Sequence, residues 1–551
     1  MARVSRRNLA IAAVALAAVV PYLRTIPDYF VQDDFGGMQL LAAKPWHTFP
    51  LWFTMPWMEF IWGYTPDEIR PFTALSYQIT ALPGASVPHG HHVLNVLLHG
   101  ANALLVLAIA RRAALMSLAA STIAALAFAL LPLGAESVAW ITGRVDSLPA
   151  FYYLLSFLSY VMWRRDPRDA NSWYIWSLVW LFQALLSKQN TITMVAAVAA
   201  YDWIVLRRPI RPTWAWIRPY VPFALMTAGF LGLRYLILGE VLRESQLSSQ
   251  RFAEFGGILS RHLHRMVWWD LRGVDERVMW FGGIYAAAAV VALVRADAEL
   301  RNRTLHAAAY FAIVWVALGL APTVAAGYES PRHAYLAAAG WTILIGLAFD
   351  ALRQMPVGRA AATEPRTASV WARVVTTATL AILVLYGVRL HHEITDWRLR
   401  SAVSELATRE LEREVRAAPP GTLFIVGAPV ASWEWGAPFV AKPPYATTDL
   451  TARATIVMPR LLHCCRGGWW DKETRDGLAR WSETGGQIVG LLISPSGEIR
   501  RLSDNDDPQL RVLVSNLRSV PTGDNLDGAI LDILRKLVAG RGRVVHAALN
   551  K

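Results

Sequence analysis

The chain has 551 residues, 54% of them hydrophobic and only 17% charged, with a mean hydropathy of +0.31. That balance is too apolar for a soluble protein of this length, so a membrane protein is the default class. The formal charge of +13 would point to nucleic acid in a soluble chain. Here the basic residues cluster at alternate helix ends, where membrane topogenesis accounts for them, and no nucleic-acid partner is expected. Cys464 and Cys465, adjacent and the sole cysteines, exclude a disulfide framework and a thiolate metal site.

Met1 to Val20 has a basic flank and an apolar run, but Pro21-Tyr22-Leu23-Arg24 offers no small-residue cleavage site, so it reads as a retained first span. Apolar runs long enough to cross a bilayer as helices then fall at about 8–26, 91–110, 115–133, 147–163, 173–187, 190–206, 219–238, 278–294, 305–322, 334–350 and 374–390, about eleven in all. Arg3, Arg6 and Arg7 precede the first, Arg111 and Arg112 follow the second, Arg164 and Arg165 the fourth, and Arg207, Arg208 and Arg211 the sixth. These clusters share one side, which the positive-inside rule makes cytoplasmic. The N-terminus is then cytoplasmic, and everything after about residue 391 lies outside, as in a multi-pass protein of a bacterial-type inner membrane.

The division expected is a transmembrane domain over 1–395, with a long first extracytoplasmic loop at 27–90, and an extracytoplasmic α/β domain over 396–551. The loop is rich in aromatic residues, among them Trp46, Trp52, Trp57 and Trp62, and reads as interfacial helices lying on the membrane. In the C-terminal domain, Glu405 to Ala417 and Asn525 to Val538 read as helices. Thr422 to Val426, Thr455 to Met458, Gln487 to Ile493 and Leu510 to Val514 read as short buried strands. Its Trp433, Trp435, Trp469 and Trp470 suit either core packing or stacking against sugar rings.

The polar residues of the membrane part carry the chemistry. Asp33 and Asp34 stand between aromatic residues at the outer edge of the first span. Two carboxylates so close in a partly desolvated site raise one pKa and allow proton abstraction from a hydroxyl; a helix N-cap with a solvated neighbour fits the same residues. His91, Asn95, His99 and Asn102 form a polar stripe along the second span that must face protein or water. Interhelical hydrogen bonding suits His99 and Asn102, while His91 and His92 lie at the outer mouth. Glu136, Trp140, Arg144 and Asp146 share the third outer corner. Arg144 breaks the positive-inside pattern and so has a specific anionic partner, either an acid of the same corner or a phosphate. Lys188, Arg332 and Arg70 break it too; singly each reads as a snorkelling anchor, and together they can hold a lipid phosphate.

The motifs Arg70-Pro71-Phe72-Thr73, His91-His92-Val93-Leu94-Asn95 through His99 and Asn102, Glu136 through Asp146, and Leu186-Ser187-Lys188 occur in an order that resembles the membrane O-mannosyltransferase-like proteins that often carry tetratricopeptide repeats. These are glycosyltransferases of the GT-C superfamily. The resemblance covers roughly the first 350 residues. It implies a GT-C-like α-helical polytopic membrane protein, here with a C-terminal soluble α/β domain in place of the repeats. It also implies an inverting glycosyltransferase that uses a polyprenyl-phosphate-linked sugar, with the catalytic acid of the first outer loop mapping to Asp33 or Asp34. Arg332 and Tyr335 look like the family's Arg-x-x-Tyr and are assigned to the donor phosphate with Arg144, Lys188 and Arg70. His91, His92, Glu136, Asp146 and Trp140 are the candidates for substrate contact. No metal or other cofactor is expected, because cations flank a monophosphate leaving group. The partners expected are the polyprenyl-phosphate sugar, membrane lipids and an extracytoplasmic acceptor hydroxyl on protein, glycan or lipid. The alternative function is a transporter or flippase of lipid-linked sugars, in which the polar stripe lines a pathway.

Overall fold

A computed structural model describes residues 5–42, 44–58, 68–82, 84, 87–166, 170–211, 213–239, 241, 249–267, 285–288, 290–291, 300–354, 365–427, 436–457, 476–478, 480–481, 483, 486–494 and 496–502. In chain order its helices are α1 (Arg6–Val19), α2 (Asp34–Ala42), α3 (Pro71–Thr80), α4 (His89–Arg112), α5 (Leu118–Leu130), α6 (Gly134–Ala139), α7 (Arg144–Arg165) and α8 (Ala170–Leu185). These are followed by α9 (Met194–Ala200), α10 (Trp214–Ile217), α11 (Val221–Leu238), α12 (Ser249–Val267), α13 (Leu300–Ala325), α14 (Tyr335–Gln354) and α15 (Pro365–Ala417). The chain divides into two compact units, Met1–Ile26 with His92–Trp397, and Pro27–His91 with Arg398–Lys551.

The first unit is a helical membrane bundle. Among the described residues six helices are long and apolar enough to cross a bilayer: Arg6–Thr25, His89–Arg112, Val221–Leu238, Thr304–Ala325, Pro331–Gln354 and Val370–Ala417. They coincide with six of the eleven predicted spans, and the chain is a multi-pass membrane protein. Four other predicted spans are shorter, more polar or broken. The run at 115–133 forms α5, begun by Ser117, whose hydroxyl accepts from the Ala120 amide at 3.1 Å. The runs at 147–163 and 173–187 form α7 and α8. The run at 190–206 is split into a 3-10 turn (Gln189–Thr193), α9 and a π-helical turn (Tyr201–Val205). The run at 278–294 lies largely outside the described residues.

The broken stretch is explained by what it buries. Asp202, in the π turn, receives hydrogen bonds from the hydroxyls of Tyr160 at 2.8 Å and Tyr220 at 2.7 Å, and pairs with Arg164. A buried carboxylate must have such partners, and widening one turn aims its side chain at them. Deeper in the bundle Phe157 stacks on Phe311, centroids 5.4 Å apart, and meets the edge of Trp315 at 4.9 Å.

The second unit joins the long loop to the C-terminal residues. Within the loop, α2, a 3-10 helix (Trp46–Phe53) and α3 fold on one another. Trp52 is buried and donates to Gln78 Oε1 at 3.3 Å, and Trp57 stacks on Tyr77 at 5.5 Å. These two tryptophans are therefore core residues of a folded loop, where the sequence suggested membrane-surface anchors; Trp46 is exposed, and Trp62 lies outside the described residues. The sheet has the order β2-β1-β3-β4, with β1 at Thr422–Gly427, β2 at Ala454–Val457, β3 at Ile488–Ile493 and β4 at Ile499–Leu502. β1 is parallel to both neighbours, with Phe424 opposite Ile456 and Val489, and β4 runs antiparallel to β3. Its central position explains why Leu423 to Val426 are all buried. The sequence had missed β4, since Ile499-Arg500-Arg501-Leu502 carries the charge typical of an edge strand. The predicted strand at Leu510 to Val514, the helix at Asn525 to Val538, Trp433, Trp435, Trp469, Trp470 and both cysteines lie outside the described residues.

Candidate functional site

The site in the first unit begins with a corner that only a few residues allow. α6 ends at Ala139 and α7 begins at Arg144, leaving four residues for the reversal. A side chain at Gly143 would bring its Cβ within 2.2 Å of the Glu136 carbonyl oxygen, so glycine is required there. Asn95 of α4 fastens the corner: its Nδ2 donates to the carbonyl of Trp140 at 2.9 Å and reaches those of Val138 and Ile141 at 3.3 Å. Its Oδ1 accepts from Arg144 Nε at 2.7 Å. One amide thus sets both the turn and the guanidinium.

Onto this corner two further cations converge. Arg332, in a 3-10 turn (Pro331–Ala334), donates from Nη1 to Glu136 Oε1 at 2.8 Å and from its amide to Glu136 Oε2 at 3.2 Å. Its Nε lies 3.3 Å from Asp146 Oδ2. Its guanidinium sits 4.7 Å over the Trp140 ring, and that ring is stacked on Trp397 at 5.7 Å and 12°. Lys188 pairs with Asp146 Oδ1, and its Nζ is 3.2 Å from His333 Nδ1. His333 is in turn stacked on Tyr328 at 4.7 Å. Arg332 and Lys188 face the carboxylates of Glu136 and Asp146, and Arg144 is set at the same corner by Asn95. Such a cluster is suited to an anion with planar or tetrahedral oxygens. The cluster opens α7, whereas Arg164 and Arg165 close it. At 22 residues that helix is about 33 Å long, close to one hydrocarbon thickness of about 30 Å.

The structure brings together Glu136, Trp140, Arg144, Asp146, Lys188 and Arg332. Asn95 binds Arg144, while Glu136 and Asp146 pair with Arg332 and Lys188. Tyr335 does not join Arg332. Arg332 belongs to the 3-10 turn, whereas Tyr335 opens α14 and turns inward, its hydroxyl 2.7 Å from His99 Nδ1 and 3.3 Å from Asn102 Nδ2. Asn102 also donates to Ser147 O at 3.0 Å, the interhelical bonding expected of that stripe. His92 is fully buried, not set at an open mouth. Sequence reading missed Asn95 as the organiser of the corner, and it missed His333 and Ser330, which bonds Glu136. Their adjacency to Arg332 was the available signal.

The remaining predicted residues lie in the second unit. Asp34 opens α2 and is buried; its carboxylate reaches back to accept from the Val31 amide at 2.9 Å. Asp33 is half-buried and its carbonyl accepts from Gly37 at 3.0 Å. Gln32, immediately before it, has φ +55°, a conformation costly for a residue with a Cβ. His91 is buried with Nδ1 2.6 Å from Thr80 Oγ1, and Arg70 pairs with Glu68. Both are thus internal to the folded loop. Among the described residues no three His, Cys, Asp or Glu side chains gather where a metal ion could be held.

No protein-family model matches the chain. Part of it is similar to membrane protein O-mannosyl-transferases, the class its motifs resemble. It is 33% identical over 216 residues to protein O-mannosyl-transferase TMTC4 of Homo sapiens, covering 35% of this chain and 29% of that protein. With Tmtc2 of Drosophila melanogaster the identity is 31% over 201 residues, covering 34% and 20%. The aligned part thus spans less than a third of the length of these relatives. Among solved structures, ArnT from Cupriavidus metallidurans bound to undecaprenyl phosphate superposes with a TM-score of 0.46 at 13% identity, covering 88% of this chain and 92% of that one.

Proposed function

We propose that the chain is an inverting glycosyltransferase that moves a sugar from a polyprenyl-phosphate-linked donor to an acceptor hydroxyl on the extracytoplasmic side of the membrane. The observation that carries this reading is the Arg332–Lys188–Arg144 cluster with its two acids, in which Arg144, Lys188 and Asp146 are buried and Arg332 and Glu136 half-buried, at one end of a membrane bundle in a chain similar in part to O-mannosyl-transferases. Cations so placed in a region where charge is costly need a function or a partner, and a lipid phosphate is the anion that a membrane delivers there.

In this reading the donor phosphate takes the place of Glu136 and Asp146 on Arg332 and Lys188, and the two acids with Trp140 are then available to sugar hydroxyls. One of Asp33 and Asp34 accepts the proton of the acceptor hydroxyl. The acceptor oxygen forms its bond to the anomeric carbon as the bond from that carbon to the phosphate oxygen breaks. Polyprenyl phosphate leaves with the electron pair, the cations stabilise its charge, and one displacement inverts the anomeric centre. No metal is assigned a role, so a chelator should leave the rate unchanged. Arg70, the further cation that the sequence groups with these, pairs with Glu68 in the second unit.

The test is transfer of labelled mannose from a polyprenyl-phosphate donor in membranes holding the full chain, with Asp33→Asn and Asp34→Asn made separately. At least one variant should lose about a hundredfold or more of the rate, the usual worth of a general base; wild-type rates in both would refute the assignment. Uncoupled movement of the intact lipid-linked sugar across vesicles, with no transfer, would favour the transporter reading.

A further inference from the structure

The short segment carrying Asp33 and Asp34 is held along its length by residues from far later in the same unit. Arg398 lies 3.3 Å from Asp28. The Tyr29 amide donates to Ser401 Oγ at 2.5 Å, and Ser404 Oγ donates to the Phe30 carbonyl at 2.6 Å. On the other side of the pair, Tyr445 donates from its hydroxyl to the Phe35 carbonyl at 2.7 Å and reaches the Asp34 carbonyl at 3.3 Å. Its ring packs 4.7 Å from that of Phe35 and 5.6 Å from that of Phe30. Gly436 presses on the same Phe35 ring so closely that a Cβ there would lie 2.7 Å from it, which only glycine permits. Between these supports Gln32 keeps its left-handed backbone, and such a conformation persists only where surrounding contacts over-determine it.

We infer that the C-terminal α/β domain is the frame that positions the Asp33-Asp34 carboxylates, with Tyr445 and Gly436 as positioning residues that act through Phe35 and the start of α2. This rests on the proposal that one of the pair is the catalytic base. It gives the domain a part in the chemistry that does not depend on binding an acceptor. Burial pushes the Tyr445 phenol well above its ordinary value, with Tyr29 and the Asp34 carboxylate acting in the same direction, so the hydroxyl remains a donor throughout the neutral and mildly alkaline range.

The experiment uses the full chain in membranes, with Tyr445→Phe and Gly436→Ala beside Asp33→Asn and Asp34→Asn. Two quantities are read: kcat and KM for mannose transfer from polyprenyl-phosphate mannose to acceptors present in the membrane, and amide hydrogen exchange over residues 28–42. Tyr445→Phe removes only a hydroxyl. It should lower kcat about tenfold, in line with the sensitivity of rate to sub-ångström misplacement, leave KM for the donor unchanged and raise exchange over 28–42. Gly436→Ala should do the same more strongly, and if it fails to accumulate, Tyr445→Phe alone decides. A wild-type kcat in Tyr445→Phe overturns the inference whether or not exchange rises. So does a lowered kcat without a change in exchange, or a raised KM at unchanged kcat. Wild-type rates in both aspartate variants would instead overturn the underlying reading, whatever Tyr445→Phe does.

Discussion

Arg332 concentrates more of the candidate site than any other side chain: it faces Glu136 and Asp146 on one edge and the Trp140 ring on its face. A planar guanidinium can do all of this at once and an ammonium cannot. Arg332→Lys should therefore lose about ten- to a hundredfold of kcat/KM for the lipid donor, close to the loss in Arg332→Gln, measured by transfer in membranes. Recovery of the wild-type rate by lysine would show that only a point charge is needed. Tyr445 makes a second prediction at this scale. Its phenol is raised from its ordinary value of 10.0 in the folded chain, so the folded state holds the proton more tightly than the unfolded one. The associated stability is complete below pH 10 and falls as pH rises further. Thermal unfolding followed from pH 8 to 11 should show a decline above pH 10 that is reduced in Tyr445→Phe. Spacing alone made Arg144, Lys188 and Arg332 visible as cations on the wrong side of the charge rule. Which acid each would meet depended on how three separate corners close on one another, and sequence left that open. Tyr335 shows the same limit: it lies three positions after Arg332, but a 3-10 turn changes to α-helix between them and sends the two side chains to different neighbours.

At the scale of elements, the α6–α7 corner and the π turn owe their local irregularity to the contacts they make. Gly143→Ala should displace the Glu136 backbone, since nothing at 2.2 Å can be accommodated, and so weaken donor binding as well as stability. Asp202→Ala removes the buried acceptor of the Tyr160 and Tyr220 hydroxyls and the partner of the half-buried Arg164, and should cost about 1 to 3 kcal/mol, read as a lowered unfolding midpoint in detergent with wild-type chain for comparison. A variant as stable as wild type would mean that the Tyr160, Tyr220 and Arg164 contacts are incidental. The apolar runs announced six helices long enough to span a bilayer, because length and hydropathy are properties of the sequence itself. The breaks at Gln189–Thr193 and Tyr201–Val205 come from tertiary demands on Asp202 and its neighbours, which no window average records. In the same way the aromatic residues of the long loop signalled burial or interface equally well, and only the folding of α2, α3 and the 3-10 helix together decided for burial of Trp52 and Trp57.

At the scale of the molecule, the chain divides into a membrane bundle, which contains the cation cluster, and a second compact unit, which contains Asp33 and Asp34. The parallel strands at Thr422–Gly427, Ala454–Val457 and Ile488–Ile493 were legible as short apolar runs. The grouping of the long loop with the chain after Arg398 was not, because pairings such as Ser404 with Phe30 link residues remote in sequence and leave no periodic trace. The central claim is transfer of a sugar from a polyprenyl phosphate, and single-turnover transfer tests it most directly. Purified full-length chain in liposomes is loaded with polyprenyl-phosphate mannose labelled in the sugar, mixed with an extract of membrane and envelope acceptors, and the label is followed. The account predicts that label passes to acceptor with inversion at the anomeric carbon, that free polyprenyl phosphate appears in equal amount, and that Arg332→Gln abolishes both. Retention of the label on the lipid in the wild-type chain, or transfer undiminished in Arg332→Gln, would contradict it.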